Sequence, residues 1–132
     1  SWVELAPLGD GATVLRAVAA ALGLGDDRAE ENEDLEARVR ARLQGDPHLL
    51  VLDNCEHLRD AAARTAHALL LRCPQLRVLA TSRQRLGIPG EVAWQTPSLA
   101  VPDPDTVAGG DPEALARGYP ALRLLAERIA QV

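Results

Sequence analysis

The sequence predicts an α/β fold of three layers, in which a mostly parallel sheet is flanked by helices. The first observation is an apolar run, Leu49–Leu52, that follows a Gly-Asp-Pro turn and ends on Asp53. Such a run is typical of a strand buried on both faces. The second observation is a similar run at Leu76–Ser82. The third is that strand-like and helix-like segments alternate along the chain, which favours parallel strands joined by right-handed crossovers.

The elements before the central strand follow from local signals. A short strand is expected at Trp2–Ala6, and a helix rich in Ala and Leu at Ala12–Leu22, with Asp10 as its N-cap. Residues 26–34 carry mostly acidic side chains and are expected to form a solvated loop. An amphipathic helix is predicted at Leu35–Leu43, where apolar residues recur four positions apart.

The elements after the central strand are predicted in the same way. A long helix at Glu56–Arg72 precedes the second core strand, Leu76–Ser82. The segment Val92–Leu99 is expected to be an edge strand, because a proline is tolerated there. Residues 100–112 are rich in Pro, Asp and Gly and predict a loop, and a final helix is expected at Ala121–Val132.

Composition restricts the class of protein. The 132 residues suffice for one domain, 1–132, and the net charge of −5 gives no indication of a nucleic-acid-binding surface. No apolar run is long enough to span a membrane. The two cysteines lie outside any metal-binding spacing, which favours reduced thiols in a cytoplasmic protein. Because the chain has no Met and opens directly on a strand, we expect a fragment of a protein that extends in both directions.

Polar residues follow both core strands. Asp53 and Asn54 end one strand, and Thr81, Ser82 and Arg83 end the other. If the strands are neighbours and parallel, these side chains share one edge, where a carboxylate could hold a magnesium ion through water and an arginine could bind phosphate. Two structural alternatives remain open: Asp53 caps the next helix, or it forms an ion pair with Arg83.

Two long motifs carry a resemblance to a known family. The stretches L-L-V-L-D-N-C-E-H-L and R-V-L-A-T-S-R-Q-R-L-G-I-P-G-E-V resemble signal-transducing NTPases of the NB-ARC/STAND type. Among these, the sequence looks most like the ATPase module of bacterial transcriptional regulators of the AfsR/SARP and large LuxR-like groups. The resemblance implies a P-loop fold and a switch domain that binds ATP or ADP with Mg²⁺ in a multidomain regulator.

The same resemblance assigns roles to the strand-end residues. Asp53 would be the Walker B acid that binds magnesium, and Thr81, Ser82 and Arg83 would form the sensor-1 segment. Glu56 or His57 would help to place the attacking water. Asn54 stands where many P-loop ATPases carry a second acid, and an amide cannot act as a general base. The resemblance therefore implies at most a slow ATPase in the parent protein.

The sequence departs from this family in one important respect. The phosphate-binding loop requires a lysine, and the chain contains none. We therefore expect a partial nucleotide-binding domain that lacks the P-loop strand, which is the central strand of that fold. Such a partial domain would be inactive and would hold no nucleotide by itself. The edge of Leu76–Ser82 would then be unpaired, so that either Val92–Leu99 moves inward or the chain self-associates. Expected partners are nucleotide and other domains of the parent, without direct contact to nucleic acid or membrane.

Two other functions are alternatives for this sequence. One is an α/β protein-interaction domain of receiver-like kind that binds no nucleotide. The other is a hydrolase with Ser82 or Cys55 as nucleophile, but neither residue lies in a G-x-S-x-G elbow.

Overall fold

The computed structural model describes residues 1–25 and 32–131 and divides the chain into two compact units, Ser1–Ala93 and Trp94–Val132. The expectation that residues 1–132 form one domain stays a prediction. Most of the predicted acidic loop, residues 26–31, lies outside the described residues.

The first unit contains a three-stranded parallel sheet. Its strands are β1 (Trp2–Glu4), β2 (His48–Asp53) and β3 (Leu76–Ala80), arranged in that order. Both strand pairs are parallel. The predicted α/β class and the parallel pairing of the strands are confirmed, whereas a partial P-loop fold is not.

The unit has three helices: α1 (Val14–Ala21), which contacts β1, α2 (Asn32–Leu43), which packs on α1, and α3 (Arg59–Arg72), which contacts β3. A 3-10 turn at Gly11–Thr13 leads into α1, and the Asp10 carboxylate accepts a hydrogen bond from the Ala12 N–H, as expected for an N-cap. A second 3-10 turn, Glu56–Leu58, leads into α3. The helices bury their apolar faces together, and Val18, Val39 and Ala66 are fully enclosed.

The sheet is covered by helices on one face only within the described residues of this unit. Along β2, Leu50 and Leu52 are buried against the helices, whereas Leu49 between them is half exposed. Because successive side chains of a strand point to opposite faces, this alternation means that the opposite face is open. The described part of this unit therefore has two layers instead of the expected three. The alternating burial of the β2 side chains is typical of a sheet that is buried on one side.

The predicted edge strand at Val92–Leu99 does not form; these residues have no regular secondary structure. In the part of the chain that the structure describes, β3 pairs with β2 alone. The segment Val92–Leu99 therefore does not move inward to pair with β3.

The second unit is helical. Its helices are α4 (Pro104–Gly109), α5 (Pro112–Gly118) and α6 (Pro120–Ile129), and each begins with a proline in its first turn. The loop predicted at residues 100–112 thus contains α4, while the final helix is confirmed with slightly different bounds. None of the helices in the described residues is long and apolar enough to cross a membrane.

Candidate functional site

Asp53 and Thr81 meet because β2 and β3 are parallel neighbours whose carboxyl ends lie side by side. The Thr81 hydroxyl donates a hydrogen bond to Oδ1 of Asp53 and accepts one from the Asn54 N–H at 2.9 Å. The Thr81 N–H also donates to the Leu52 carbonyl at 2.9 Å. Asp53 therefore does not cap the following helix and does not pair with Arg83: its side chain joins the ends of two strands.

Asn54 turns the chain from β2 into the next helical segment. Its φ of 63° lies in the left-handed region, which asparagine tolerates better than most residues that have a Cβ. When the Asn54 amide is oriented so that both its oxygen and its nitrogen have suitable partners, the side-chain NH₂ donates to both carboxylate oxygens of Glu56 at 2.9 Å. Asn54 thus connects the Asp53–Thr81 pair to Glu56.

Glu56 is also held by Arg83. The Nε of Arg83 donates to Oε1 of Glu56 at 2.9 Å, although the arginine side chain is 85% exposed. A hydrogen bond from the Glu56 backbone, together with that from Arg83, lowers the pKa of the Glu56 carboxyl. These hydrogen bonds fix the position of the Glu56 carboxylate, and its expected role in placing an attacking water stays a prediction.

Five of the predicted site residues thus form one hydrogen-bonded group, which we call the strand-end cluster: Asp53, Asn54, Glu56, Thr81 and Arg83. Ser82 lies outside it, because its hydroxyl accepts a hydrogen bond from the Gln84 N–H within a local turn. His57 also lies outside it and bonds through Nε2 to the Leu8 carbonyl.

The cluster does not provide an evident magnesium site. Among the described residues, no group of three or more His, Cys, Asp or Glu side chains is arranged to hold a metal ion. Asp53 is engaged by Thr81, and Glu56 by Arg83. The expectation that the parent protein binds ATP or ADP with Mg²⁺ stays an untested prediction.

A shallow cleft beside the cluster was missed from the sequence. It encloses about 460 Å³, and Arg59, Arg64 and Gln84 lie in its lining. Arg59 is paired with Asp60 at 2.8 Å and also contacts Gln84. The available signal was the S-R-Q-R stretch after β3, which places polar side chains beside the start of α3.

Cys55 and Cys73 are both buried as free thiols. Burial, with smaller effects from Glu56 and Asp53, raises the pKa of the Cys55 thiol to about 11. Its Sγ contacts the Leu52 carbonyl at 3.4 Å. A neutral, enclosed thiol is a poor nucleophile, which argues against the hydrolase alternative for Cys55.

Comparison with known proteins gives relatives in mycobacteria. Proteins of Mycobacterium tuberculosis and Mycobacterium bovis are 40% identical to the chain over 102 residues, and they are provisionally named HTH-type (helix-turn-helix) transcriptional regulators. Uncharacterised proteins of the same two species are 49% identical over 53 residues, which is 40% of this chain and 14% of their own length. No family model and no solved structure matches the chain.

The named regulators are much longer than the matched segment. The match covers 77% of this chain but only 11% of each regulator. The match therefore spans about a tenth of the length of these relatives.

These relatives contradict three expectations. The resemblance to NB-ARC/STAND NTPases is wrong, because the relatives are named for an HTH motif, and the nucleotide-switch function drawn from it is wrong with it. The expected absence of direct nucleic-acid contact is also wrong, since the helix-turn-helix is a DNA-binding motif. The physical reason is that the net charge of −5 describes only these 132 residues, whereas the match covers 11% of each regulator.

Proposed function

We propose that this chain is part of an HTH-type transcriptional regulator that binds DNA and acts in the bacterial cytoplasm. The observation that carries the proposal is the 40% identity over 102 residues to regulators of that name. The match covers 77% of the chain and is therefore much longer than a shared short motif.

Within that regulator, the strand-end cluster would hold the carboxyl ends of β2 and β3 in one arrangement. The Thr81 hydroxyl links Asp53 and the Asn54 N–H across the two strands. Ligands of open α/β sheets bind at this edge, outside the carboxyl ends of the strands.

DNA binding is proposed for the regulator as a whole and not for a particular helix here. In the second unit, one residue separates α5 from α6, and two residues separate α4 from α5. A DNA-binding helix-turn-helix has a turn of about three to four residues between its helices. The described helix pairs of this unit therefore do not identify the recognition helix.

In vitro selection of genomic fragments by the complete gene product that contains this chain tests the proposal. We expect enriched duplexes with a common sequence, and an affinity that falls steeply with salt because bound phosphates release counterions. A matched duplex of the same composition in shuffled order should bind at least tenfold more weakly. Equal binding to both duplexes, or no enrichment over beads without protein, would refute the proposal.

A further inference from the structure

Four arginines lie at the amino end of the sheet. Helices α2 and α3 both end there, because each leads through a short loop into the start of a strand. Arg40 and Arg42 stand in the last turn of α2, and Arg72 is the last residue of α3. Arg77 is the second residue of β3. We call these four residues the arginine edge.

The side chains of this edge gather around the turn between α3 and β3. The Nη1 of Arg77 donates to the Pro74 carbonyl at 3.4 Å and to the Leu76 carbonyl at 3.2 Å. Burial raises the pKa of the Cys73 thiol in the same turn, and the nearby charge of Arg40 opposes this rise. Arg40 and Arg77 therefore approach the turn from two different elements.

The start of β2 brings Arg42 to the same place. The backbone N–H of His48, the first residue of β2, donates to the Gln75 carbonyl at 3.2 Å. Burial and neighbouring positive charges, among them Arg42, lower the pKa of the His48 imidazole. The last turn of α2 thus lies beside the α3–β3 turn.

The arginine edge carries an unbalanced positive charge. In the loops that flank it, residues 44–47 and 73–75, Asp46 is the only acid. Within the described residues, the side chains of Arg40, Arg42 and Arg72 have no ion pair and no hydrogen bond. Three of the four arginines are exposed and Arg40 is partly exposed. Four positive charges therefore face one negative charge, which leaves a net charge of +3.

Helix dipoles account for only part of this charge. The C-terminus of a helix carries about half a negative charge, which favours arginine in the last turn. The two helices that end here supply about one negative charge together, so that a net charge of about +2 remains. The dipoles also do not explain Arg77, which begins a strand.

The acids at the other end of the sheet do not cancel this charge. Glu4 and Asp53 lie at the carboxyl ends of β1 and β2. The six residues of β2 separate them from the arginine edge by roughly 20 Å. The screening length at physiological ionic strength is about 8 Å. A ligand at the arginine edge therefore experiences the local positive charge and not the net charge of the chain.

We propose that the arginine edge contacts the phosphate backbone of duplex DNA without reading its sequence. The inference rests on the proposed function, which brings the chain to DNA. Guanidinium groups bind phosphate oxygens bidentately. A duplex carries about six negative charges per 10 Å of its axis, so each of the four arginines can face a phosphate. An extended acidic peptide carries at most about three charges over the same length, and it matches the edge less well.

Fluorescence anisotropy of a labelled random-sequence duplex tests the proposal on the complete 132-residue chain. We expect saturable binding with a dissociation constant on the order of 10⁻⁵ M at about 50 mM salt. The logarithm of the binding constant should fall against the logarithm of the salt concentration with a slope of about −3.6, as four phosphate contacts require. A shuffled duplex should bind equally well.

Arg72→Gln should weaken binding about tenfold at about 50 mM salt and reduce the slope by about 0.9. The matched control is Arg85→Gln, which removes the same charge from an exposed position in the loop after β3 and should change neither quantity. Circular dichroism verifies that each variant is folded.

Three results would overturn the proposal. The first is no saturable binding at low salt, and the second is equal weakening by Arg72→Gln and Arg85→Gln. The third is tighter binding of poly-glutamate than of the duplex, which would make an acidic polypeptide the partner. Each of these leaves the selection of genomic fragments by the complete gene product unaffected, because that selection measures sequence preference. The failure of the proposed function is therefore distinguishable from the failure of this inference.

Discussion

Thr81 is the residue on which the strand-end cluster depends most, because its hydroxyl both donates to Asp53 and accepts from the Asn54 N–H. Thr81→Val keeps the shape but removes both hydrogen bonds, and we expect a loss of about 1 kcal/mol in the free energy of unfolding. Thr81→Ser keeps the hydroxyl and should lose less than half of that. Urea denaturation of the three proteins measures the difference, and a loss in Thr81→Ser without a loss in Thr81→Val would show that the methyl group, and not the hydroxyl, matters.

The Glu56–Arg83 pair should make stability depend on pH. The pKa of Glu56 is lowered in the folded chain, so the unfolded chain binds its proton more readily. The pair therefore stabilises the fold above the ordinary carboxyl pKa, and this contribution disappears as the pH falls through the lowered value. Arg83→Gln should reduce the urea midpoint at pH 7 and have little effect at pH 2 to 3. Arg85→Gln, two residues away, serves as the control and should leave the pH profile of the chain unchanged.

The sequence allowed the position of the cluster to be predicted but not its internal contacts. Asp53 and Thr81 end neighbouring core strands, and parallel pairing requires that such ends lie together. The pairing of Arg83 with Glu56 depends on the left-handed backbone of Asn54, which brings Glu56 toward β3. A conformation of this kind leaves no periodic signal, so the alternative Arg83–Asp53 pair was equally consistent with the sequence.

Strand β2 is the element whose two faces can be compared directly. Leu50 is fully buried and Leu49 is half exposed, although they are adjacent and chemically identical. Leu50→Ala should cost roughly 2–5 kcal/mol in the free energy of unfolding, because it leaves a cavity against the helices. Leu49→Ala should cost less than about 1 kcal/mol, since little surface is buried there. Thermal and urea denaturation measure the two losses, and comparable values would mean that the sheet face on which Leu49 lies is covered in solution.

The wrong predictions of secondary-structure elements have physical reasons. The run Leu49–Leu52 is apolar throughout and therefore indicated a strand buried on both faces, yet only alternate residues are buried. Exposed apolar positions and buried ones are indistinguishable in such a run. Helix α4 was missed because Asp103-Pro104-Asp105 reads as a turn, although proline is also favoured in the first turn of a helix.

At the scale of the whole molecule, the division into two units predicts a simple proteolytic pattern. Residues 92–103 lack regular secondary structure and connect a sheet-containing unit to a helical one. Limited proteolysis at low protease concentration should cut first in this segment and leave a resistant fragment close to Ser1–Ala93. Leu50→Ala should make this fragment less resistant. First cuts within β2 or α3 would contradict the division.

The predicted function failed because strand-end chemistry is shared by many α/β proteins. An acid after one strand and a Thr-Ser-Arg stretch after its neighbour suit phosphate binding, but here these groups are engaged with one another. A fold does not by itself determine a ligand. Within the same prediction, a role in transcription regulation agrees with the names of the relatives, whereas the nucleotide chemistry has no support from them.

The most direct test of the regulator account is to map, in the host bacterium, the DNA sites that the complete gene product occupies and to measure transcripts with and without the gene. We predict that occupied promoters change expression when the gene is deleted. A strain with Leu50→Ala in the buried core should reproduce part of that change, while Leu71→Ala at an exposed position of α3 should not. If no site is occupied, or if transcripts beside occupied sites are unaffected by the deletion, the protein is not a transcriptional regulator.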